Sequence, residues 1–215
     1  MRKAMSILLV LVIIIFSGCY DNRETDTLAT VMAVGIDKNE KTGYKVYTFA
    51  VADTGGMSGT DSGDGTSLIC FFSEGRNADE AIQDMDRRLT KKLSFSHLSA
   101  ILFSESVAKE GMAEDINHFE NEVSVRPQTM IAITDTDAGD YLSKLRPVLE
   151  SNHEKYFQSL FKTQNTSISD FINALYTNTE ALVPIISTSP SKEYSEMNSF
   201  SDTVAVVRNG RLEER

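Results

Sequence analysis

Cysteine is scarce in this sequence, with only Cys19 and Cys70 among its 215 residues. Cys70 lies within the apolar stretch from Leu68 to Phe72, so it is predicted to be a small core residue. If Cys19 is modified, as argued below, the single remaining thiol can form neither an internal disulfide nor a cysteine metal site. With Cys19 modified, the sequence therefore excludes an internal disulfide and a metal site built from cysteines.

Long apolar runs are also scarce. The longest, from Ile7 to Phe16, would span only about 15 Å as a helix, roughly half the hydrocarbon thickness of a bilayer. No later stretch approaches the length of a membrane span. We therefore expect no segment after residue 19 to cross a bilayer.

Motifs for catalysis and metal binding are missing. The three histidines, His97, His118 and His153, include no pair at a metal-ligand spacing on one helix. The sequence has no Gly-x-Ser-x-Gly elbow, no His-Glu-x-x-His, no Gly-x-Gly-x-x-Gly and no Walker loop. We therefore expect a protein that is not an enzyme, with no catalytic, cofactor-binding or metal-binding residue.

Two weaker signals for metal binding also have structural explanations. Asp135, Asp137 and Asp140 could hold a calcium ion, but two of them sit more naturally at a helix start, where the helix dipole favours them. His97, at the entrance of a strand, is more typical of a hydrogen-bonded structural histidine than of a metal ligand. The structural explanation is preferred in both cases.

Five of the twelve glycines lie between Thr54 and Thr66. A phosphate-binding loop would need a lysine and a helix directly afterwards, and neither follows. The spacing of Asp61 and Asp64 does not match an EF-hand. The segment is predicted to be a mobile loop between strands.

The first residues have the layout of a bacterial export signal: a basic start at Arg2 and Lys3, the apolar run, then Ser17 and Gly18 before Cys19. Residues 1–18 are predicted to be the signal peptide and 19–27 a lipidated tether. A thiol is nucleophilic enough to accept a diacylglycerol group, and the freed amine can take a further acyl chain such as palmitate. Ordinary cleavage nearby is the alternative. Two or more acyl chains would hold the domain on a membrane, at about 0.8 kcal/mol per buried CH₂.

Acidic residues dominate the rest of the chain. Without Arg2 and Lys3, 19 basic residues remain against 31 acidic ones, a net charge of −12. Such a chain repels phosphate backbones and anionic lipids, so nucleic-acid binding and a polybasic membrane patch are both disfavoured. Membrane attachment is expected to depend on the lipid alone.

Hydrophobic periodicity predicts alternating strands and helices. The predicted strands are Leu28–Asp37, Tyr44–Ala52, Ser67–Ser73, Leu98–Phe103 and Thr129–Thr134, with an edge-like extended piece at Ala181–Ile186. The predicted helices are 77–93, Ser104–Glu110, Ala113–Glu122, Asp137–Leu145, Asn152–Lys162 and Ser167–Tyr176. This order predicts an α/β (α+β) domain over residues 28–190, with helices packed against one mixed β-sheet.

The last residues of the chain are predicted to lie outside this domain. Ser187 to Ser201 is predicted to be a linker or long loop. Thr203 to Arg208 is predicted to be a strand, and Asn209-Gly210 is a strong hairpin signal because both residues tolerate positive φ. Arg211 to Arg215 looks too short and too charged to return as a full partner. Residues 201–215 are therefore expected to be the truncated start of a second domain. The chain is expected to be frayed from residue 187 onward.

Several short motifs occur in order along the chain. They are Gly18-Cys19-Tyr20-Asp21-Asn22-Arg23-Glu24, Val34-Gly35-Ile36-Asp37, Glu74-Gly75-Arg76-Asn77-Ala78-Asp79-Glu80-Ala81, Leu93-Ser94-Phe95-Ser96-His97-Leu98 and Val125-Arg126-Pro127. In these motifs and their order the chain resembles, from about residue 20 to 186, the Ger(x)C family, the lipoprotein C subunits of spore germinant receptors.

The resemblance implies a lipoprotein on the outer face of the cell membrane, specifically the inner spore membrane. It also implies work with an A subunit and a transporter-like B subunit in nutrient sensing, and carries no catalytic residue. A membrane-tethered lipoprotein that binds a solute or acts on envelope polymer is the alternative. A solute binder is expected to have two lobes, and 197 mature residues are short for that.

Overall fold

The structure, a computed structural model, describes residues 27–53, 67–145, 165–190 and 197–214. Its strands, in chain order β1 to β9, are Leu28–Lys38, Lys45–Asp53, Ser67–Gly75, Lys92–Ser94, Ala100–Ser104, Met130–Thr134, Ala181–Pro190, Met197–Arg208 and Arg211–Glu214. Its helices, α1 to α5, are Ala78–Arg88, Glu105–Glu110, Ala113–Asn121, 138–145 and Ile168–Thr177. The predicted signal peptide with Cys19, the glycine-rich loop and the predicted helix Asn152–Lys162 lie outside the described residues.

The described strands form one mixed sheet in the order β3-β2-β1-β5-β6-β7-β8-β9, with β4 beside the start of β1. Strands β1, β5, β6 and β7 run parallel, while β2 and β3 on one side and β8 and β9 on the other are antiparallel. Parallel neighbours need a long crossover, which the helices between these strands provide. The predicted mixed sheet with packed helices is confirmed.

Both faces of the central strands are covered. The larger core packs α1, α2, α3 and α5 against one face, with Phe49, Phe103 and Phe119 fully buried. A smaller core packs α4 against the other face through Tyr141 and Leu142. Burial on both faces explains why Ala100 to Phe103 of β5 form an unbroken apolar run instead of alternating with polar residues.

Helix α1 is shorter than the predicted 77–93. Its start is as expected, because the side chain of Asn77 accepts a hydrogen bond from the backbone N–H of Glu80. It ends at Arg88, and Leu93 lies instead in β4, paired with Ala29 of β1. The spacing of Leu93 from the apolar residues of α1 matched a helical period, but Leu93 is extended because it pairs with a strand that is distant in sequence.

The region after residue 187 differs most from expectation. Strand β7 continues to Pro190, and β8 begins at Met197 and pairs with it throughout. The Asn209-Gly210 turn forms as predicted, with φ of 51° and 77°. The returning segment pairs only in part, as expected, since the four residues of β9 pair with Val206 to Arg208 at the end of β8.

The segment expected to be frayed is part of the same sheet because it has apolar surface to bury. Ala205 and Val207 of β8 are buried in the larger core. Strand β7 is also not an edge strand, despite Pro184. Pairing with β6 begins at Ile185, so the N–H that Pro184 lacks falls before the β6–β7 ladder.

Candidate functional site

The residues singled out from the sequence do not converge on one centre. Asp135, Asp137 and Asp140 are exposed around the start of α4, as the helix-start interpretation predicted. The side chain of His97 is exposed, and its backbone carbonyl accepts a hydrogen bond from the Ser99 hydroxyl. Within the described ranges, no three His, Cys, Asp or Glu side chains gather closely enough to hold a metal ion.

A cleft of about 420 Å³ opens where β1 ends beside β2, β3 and α4. We call it the β1 cleft. It is lined by Asp37, Lys38, Asn39, Val46, Thr48, Cys70, Phe72, Asp137, Gly139, Asp140 and Ser143.

Asp37 is the central polar group of the β1 cleft. Its two carboxylate oxygens accept hydrogen bonds from the backbone N–H groups of Ala138 and Gly139, at 2.7 and 2.8 Å. Burial raises the pKa of the Asp37 carboxyl above its ordinary value of 3.8, while the two N–H groups oppose that shift. The carboxylate satisfies two donors that α4 would otherwise leave open, so Asp37 caps a helix a hundred residues away in sequence.

Close backbone contact brings α4 onto the strands beside Asp37. A Cβ atom on Gly35 would lie 3.0 Å from the backbone carbon of Ala138, and one on Gly139 would overlap the Thr48 hydroxyl. The motif Val34-Gly35-Ile36-Asp37 therefore has a packing and capping role in this structure. The sequence alone offered no signal for it, because the partner helix is distant along the chain.

A second groove, of about 450 Å³, lies between the start of α1 and helix α3. His118 of α3 is half-buried there, with Nδ1 3.4 Å from a carboxylate oxygen of Asp79. Its Nε2 atom is buried with no described hydrogen-bond partner, and its ring packs edge-on against Phe119. The other lining residues are Asn77, Ala78, Glu114, Asn121 and Glu122.

A buried charged cluster links α3 to β2. Asp115 is fully buried and accepts hydrogen bonds from the Lys45 ammonium at 2.6 Å and the Tyr47 hydroxyl at 2.5 Å. Burial, and then the charge of Asp115, raise the pKa of Tyr47 far above its ordinary value, so its hydroxyl stays protonated and donates. Sequence reasoning missed Asp115, although its position one turn before the buried Phe119 placed it on the inner face of the helix.

In both the β1 cleft and the buried cluster, the buried carboxylate is hydrogen-bonded to structural partners. Asp37 is used by α4, and Asp115 by Lys45 and Tyr47. None of the helices within the described ranges has the length and apolar character that a bilayer crossing requires. Among the described residues, those of the β1 cleft and those of the groove at His118 line shallow depressions with polar walls.

Comparisons with known proteins point to one biological context. A family model described as the spore germination protein N-terminal domain matches residues 21–188. The chain is 26% identical over 195 residues to spore germination protein KC of Bacillus subtilis (strain 168), covering 85% of this chain and 48% of that protein. It is 23% identical over 215 residues to the putative spore germination protein YfkR of the same organism, covering 96% and 56%.

The chain thus spans about half the length of these relatives. No solved structure matches it significantly. The family match covers β1 through most of β7, which includes the β1 cleft, the His118 groove and the buried cluster.

Proposed function

The chain belongs to the spore germination protein N-terminal domain family, and from that membership we propose that it acts in spore germination as a non-enzymatic, lipid-anchored subunit of a nutrient germinant receptor. The observation that carries the proposal is the match over residues 21–188, which takes in most of the described sheet. The names of both relatives, spore germination protein KC and putative spore germination protein YfkR, support the role in spore germination.

The non-enzymatic part is supported by how the fold uses its buried ionisable groups. Asp37 caps α4, and Asp115 is held by Lys45 and Tyr47. A catalytic acid or base needs a free position within hydrogen-bond reach of a substrate. Both carboxylates already serve the packing of helices on the sheet, so we assign the protein a binding and assembly role.

The anchor is supported by the leader and by the start of the fold. Ser17 and Gly18 precede Cys19, and strand β1 begins at Leu28, nine residues later. We propose that acylated Cys19 holds the domain on the outer face of the cell membrane. In the spore, this membrane is the inner spore membrane. The receptor's A and B subunits are the proposed partners there.

The proposal is tested in spores that lack the gene and receive it back as wild type, Cys19→Ala or Cys70→Ala. Cys19→Ala should lose labelled palmitate, leave the membrane fraction and slow nutrient-triggered germination. Cys70→Ala is the matched control, because it removes the other thiol and should keep all three properties.

Two results would count against this function. Membrane fractionation and palmitate labelling that survive Cys19→Ala would refute the anchor. Germination at the wild-type rate in the deletion strain, with normal response to every nutrient tried, would favour the alternative of a lipoprotein that binds a solute or acts on envelope polymer.

A further inference from the structure

In the described part of the chain, the sheet face that carries α4 is only partly covered. A Cβ atom on Gly139 of α4 would overlap the Thr48 hydroxyl, so the helix lies directly over this residue of β2. Phe72 of β3 is the cross-strand partner of Thr48 and therefore stands next to it on the same face. The Phe72 side chain lines the β1 cleft and is 68% exposed, so the cover that α4 provides stops short of it.

Two further side chains extend this apolar surface. Val46 is half-buried and precedes Thr48 by two residues on β2, so it lies on the same face. Tyr44, directly before β2, continues the alternation and is 47% exposed. We define the Phe72 patch as Tyr44, Val46 and Phe72. Aromatic side chains grouped on a surface in this way are typical of protein interfaces.

The basic side chains around this end of the sheet are bound on its opposite side. Their ion pairs are Lys38–Glu110, Lys45–Asp115, Arg76–Glu80, Arg88–Asp84 and Lys109–Glu105. Each of these carboxylates belongs to α1, α2 or α3, and all three helices pack against the face of the larger core. Lys38 also lines the β1 cleft, but its ammonium is held by Glu110. Arg88 also donates to the backbone carbonyl of Phe72, at 2.6 Å.

Carboxylates predominate on the side of the sheet that carries α4. Those near the Phe72 patch belong to Asp37, Glu74, Asp137 and Asp140. Three of them line the β1 cleft, and Glu74 follows Phe72 by two residues on the same face of β3. The charges at this end of the sheet are thus separated by face: paired on the side of the larger core, and mainly acidic on the side of α4.

The cations on the α4 side offset only part of this acidity. Lys144, the basic residue of α4, lies 4.0 Å from Asp140. Lys41 is exposed in the turn between β1 and β2, directly after Glu40. Burial first, and also the charge of Asp137, raise the pKa of the Asp37 carboxyl, so these two groups are close enough to repel each other. A cation placed in the cleft would lower that repulsion.

We propose that the β1 cleft and the Phe72 patch together bind a partner protein through an arginine that is flanked by apolar residues. The planar guanidinium stacks on the exposed ring of Phe72, and its charge faces Asp137 and Asp140. The flanking apolar residues cover Val46 and Tyr44. Arginine and aromatic side chains are enriched among the residues that dominate the binding energy of protein interfaces.

A protein surface fits this region better than a free small molecule does. Small-molecule sites enclose most of their ligand, whereas Phe72 and Tyr44 stand on open surface. Partners that carry phosphates, such as nucleic acids and anionic lipids, would be repelled by the carboxylates. The inference adds a binding surface to the proposed receptor subunit and does not depend on the anchor at Cys19.

The test uses the mature chain, residues 19–215, with Cys19→Ser to avoid intermolecular disulfides, and follows its backbone amides by NMR. The probes are a capped peptide of sequence Gly-Leu-Arg-Leu-Gly, the same peptide with neutral citrulline in place of arginine, and N-acetylargininamide. We expect the arginine peptide to shift the amides of residues 44–48, 70–74 and 137–143 saturably. The citrulline peptide should bind at least about fivefold more weakly, because it lacks the charge that the ring and the carboxylates attract.

Variants of the protein separate the patch from the fold. Phe72 is not among the described residues of either core, so Phe72→Ser should fold. It should weaken binding of the arginine peptide about two- to fivefold, the contribution of one exposed cation–π contact. Tyr176→Ser is the matched control, because Tyr176 is an exposed aromatic residue on α5 and its loss should leave binding unchanged. Asp137→Asn combined with Asp140→Asn should weaken the arginine peptide and leave the citrulline peptide unchanged.

The proposal would be overturned by the absence of a saturable shift up to about 5 mM arginine peptide. Equal affinity of the arginine and citrulline peptides, or equal binding to wild type and Phe72→Ser, would also overturn it. If N-acetylargininamide bound as tightly as the peptide, the flanking residues would contribute nothing and the site would be one for a small molecule. The measurement needs no spores, so its outcome is separate from those of the palmitate and germination experiments.

Discussion

Single buried charges connect the helices of this protein to its sheet. Asp115 on α3 is fully buried, and its partners Lys45 and Tyr47 both lie on β2. A buried ion pair adds little compared with an apolar replacement, but removing one partner leaves the other charge buried and unpaired. Asp115 should therefore be far more sensitive to substitution than its exposed neighbours.

We expect Asp115→Ala to lower the free energy of unfolding by about 3 to 5 kcal/mol, because the Lys45 ammonium and the Tyr47 hydroxyl would both lose the buried carboxylate that accepts their hydrogen bonds. Tyr47→Phe should cost about 1 to 3 kcal/mol, as one hydrogen bond to a charged group is lost. Glu114→Ala is the control: this exposed residue lies 3.7 Å from the same Lys45 and should change stability by about 0.5 kcal/mol or less. Urea unfolding measures all three, and equal losses for Asp115→Ala and Glu114→Ala would contradict the assignment.

Asp37 predicts a pH dependence of stability. Its folded pKa is raised above 3.8, so between 3.8 and the folded value the folded chain binds more protons than the unfolded chain. The free energy of unfolding contributed by Asp37 is thus fully present below pH 3.8 and is lost as the pH rises through the folded pKa. Asp37→Asn removes this titration.

We therefore expect the stability difference, wild type minus Asp37→Asn, to be larger at pH 4 than at pH 7 in urea unfolding. Asp135→Asn controls for the loss of a negative charge on the same edge. A difference that grows toward pH 7 would mean that the N–H groups of Ala138 and Gly139 outweigh burial and hold the carboxylate ionised.

At the scale of elements, the β8–β9 hairpin docks on the connection between α2 and α3. The N–H of Met112 donates to the carbonyl of Gly210 at 2.7 Å. A Cβ atom on Gly210 would lie 2.7 Å from the Cβ of Ala113. The turn therefore needs glycine for its space as well as for its backbone conformation.

Gly210→Ala and Gly43→Ala separate these two requirements. Both glycines have positive φ, 77° and 73°, but a Cβ on Gly43 would meet nothing within 4 Å. We expect Gly43→Ala to cost about 1 to 2 kcal/mol for its backbone conformation alone. Gly210→Ala should cost a further 1 to 3 kcal/mol or so, because the hairpin must move away from Ala113. Thermal or urea unfolding gives the comparison, and equal costs would mean that the hairpin does not dock there.

At the scale of the whole molecule, one continuous sheet joins residues far apart in the chain. Strand β8 pairs with β7 along its length and contributes Ala205 and Val207 to the larger core. Strand β9 contacts α2, so the last described strands close over the helices that cover β1 and β5. Stability of this region should follow that of the central sheet.

Hydrogen exchange provides the check. Amides of Val204 to Val207 that bond to β7 or β9 should be protected to a degree comparable with Ile101 and Ile131 of the central strands. Glu40, exposed in the turn between β1 and β2, is the fast-exchanging reference. Exchange at Val204 to Val207 as fast as in that turn would restore the sequence-based expectation of a frayed segment.

The amino-acid sequence by itself determined the helix caps, the Asn209-Gly210 turn and the central strands of this protein. The cap at Asn77, the capping box from Ser167 to Asp170 and the positive φ values of Asn209 and Gly210 were all readable from a few adjacent residues. The central strands were readable because an apolar run buried on both faces needs no knowledge of its neighbours. The caps and the turn depend on contacts within about four residues, and the strands were recognised from their composition.

The tertiary structure decided whatever depended on distant partners. Asp37 became a helix cap only because α4 docks 101 residues later, and Leu93 left its helix because β1 was available for pairing. The sequence predicted a strand over Thr203 to Arg208, but its place beside β7 was decided by the surface that β7 and the larger core offered to Ala205 and Val207. Burial and strand pairing between segments far apart in sequence outweigh local propensity by several kcal/mol, roughly the burial of one or two side chains, so no window of sequence contained these outcomes.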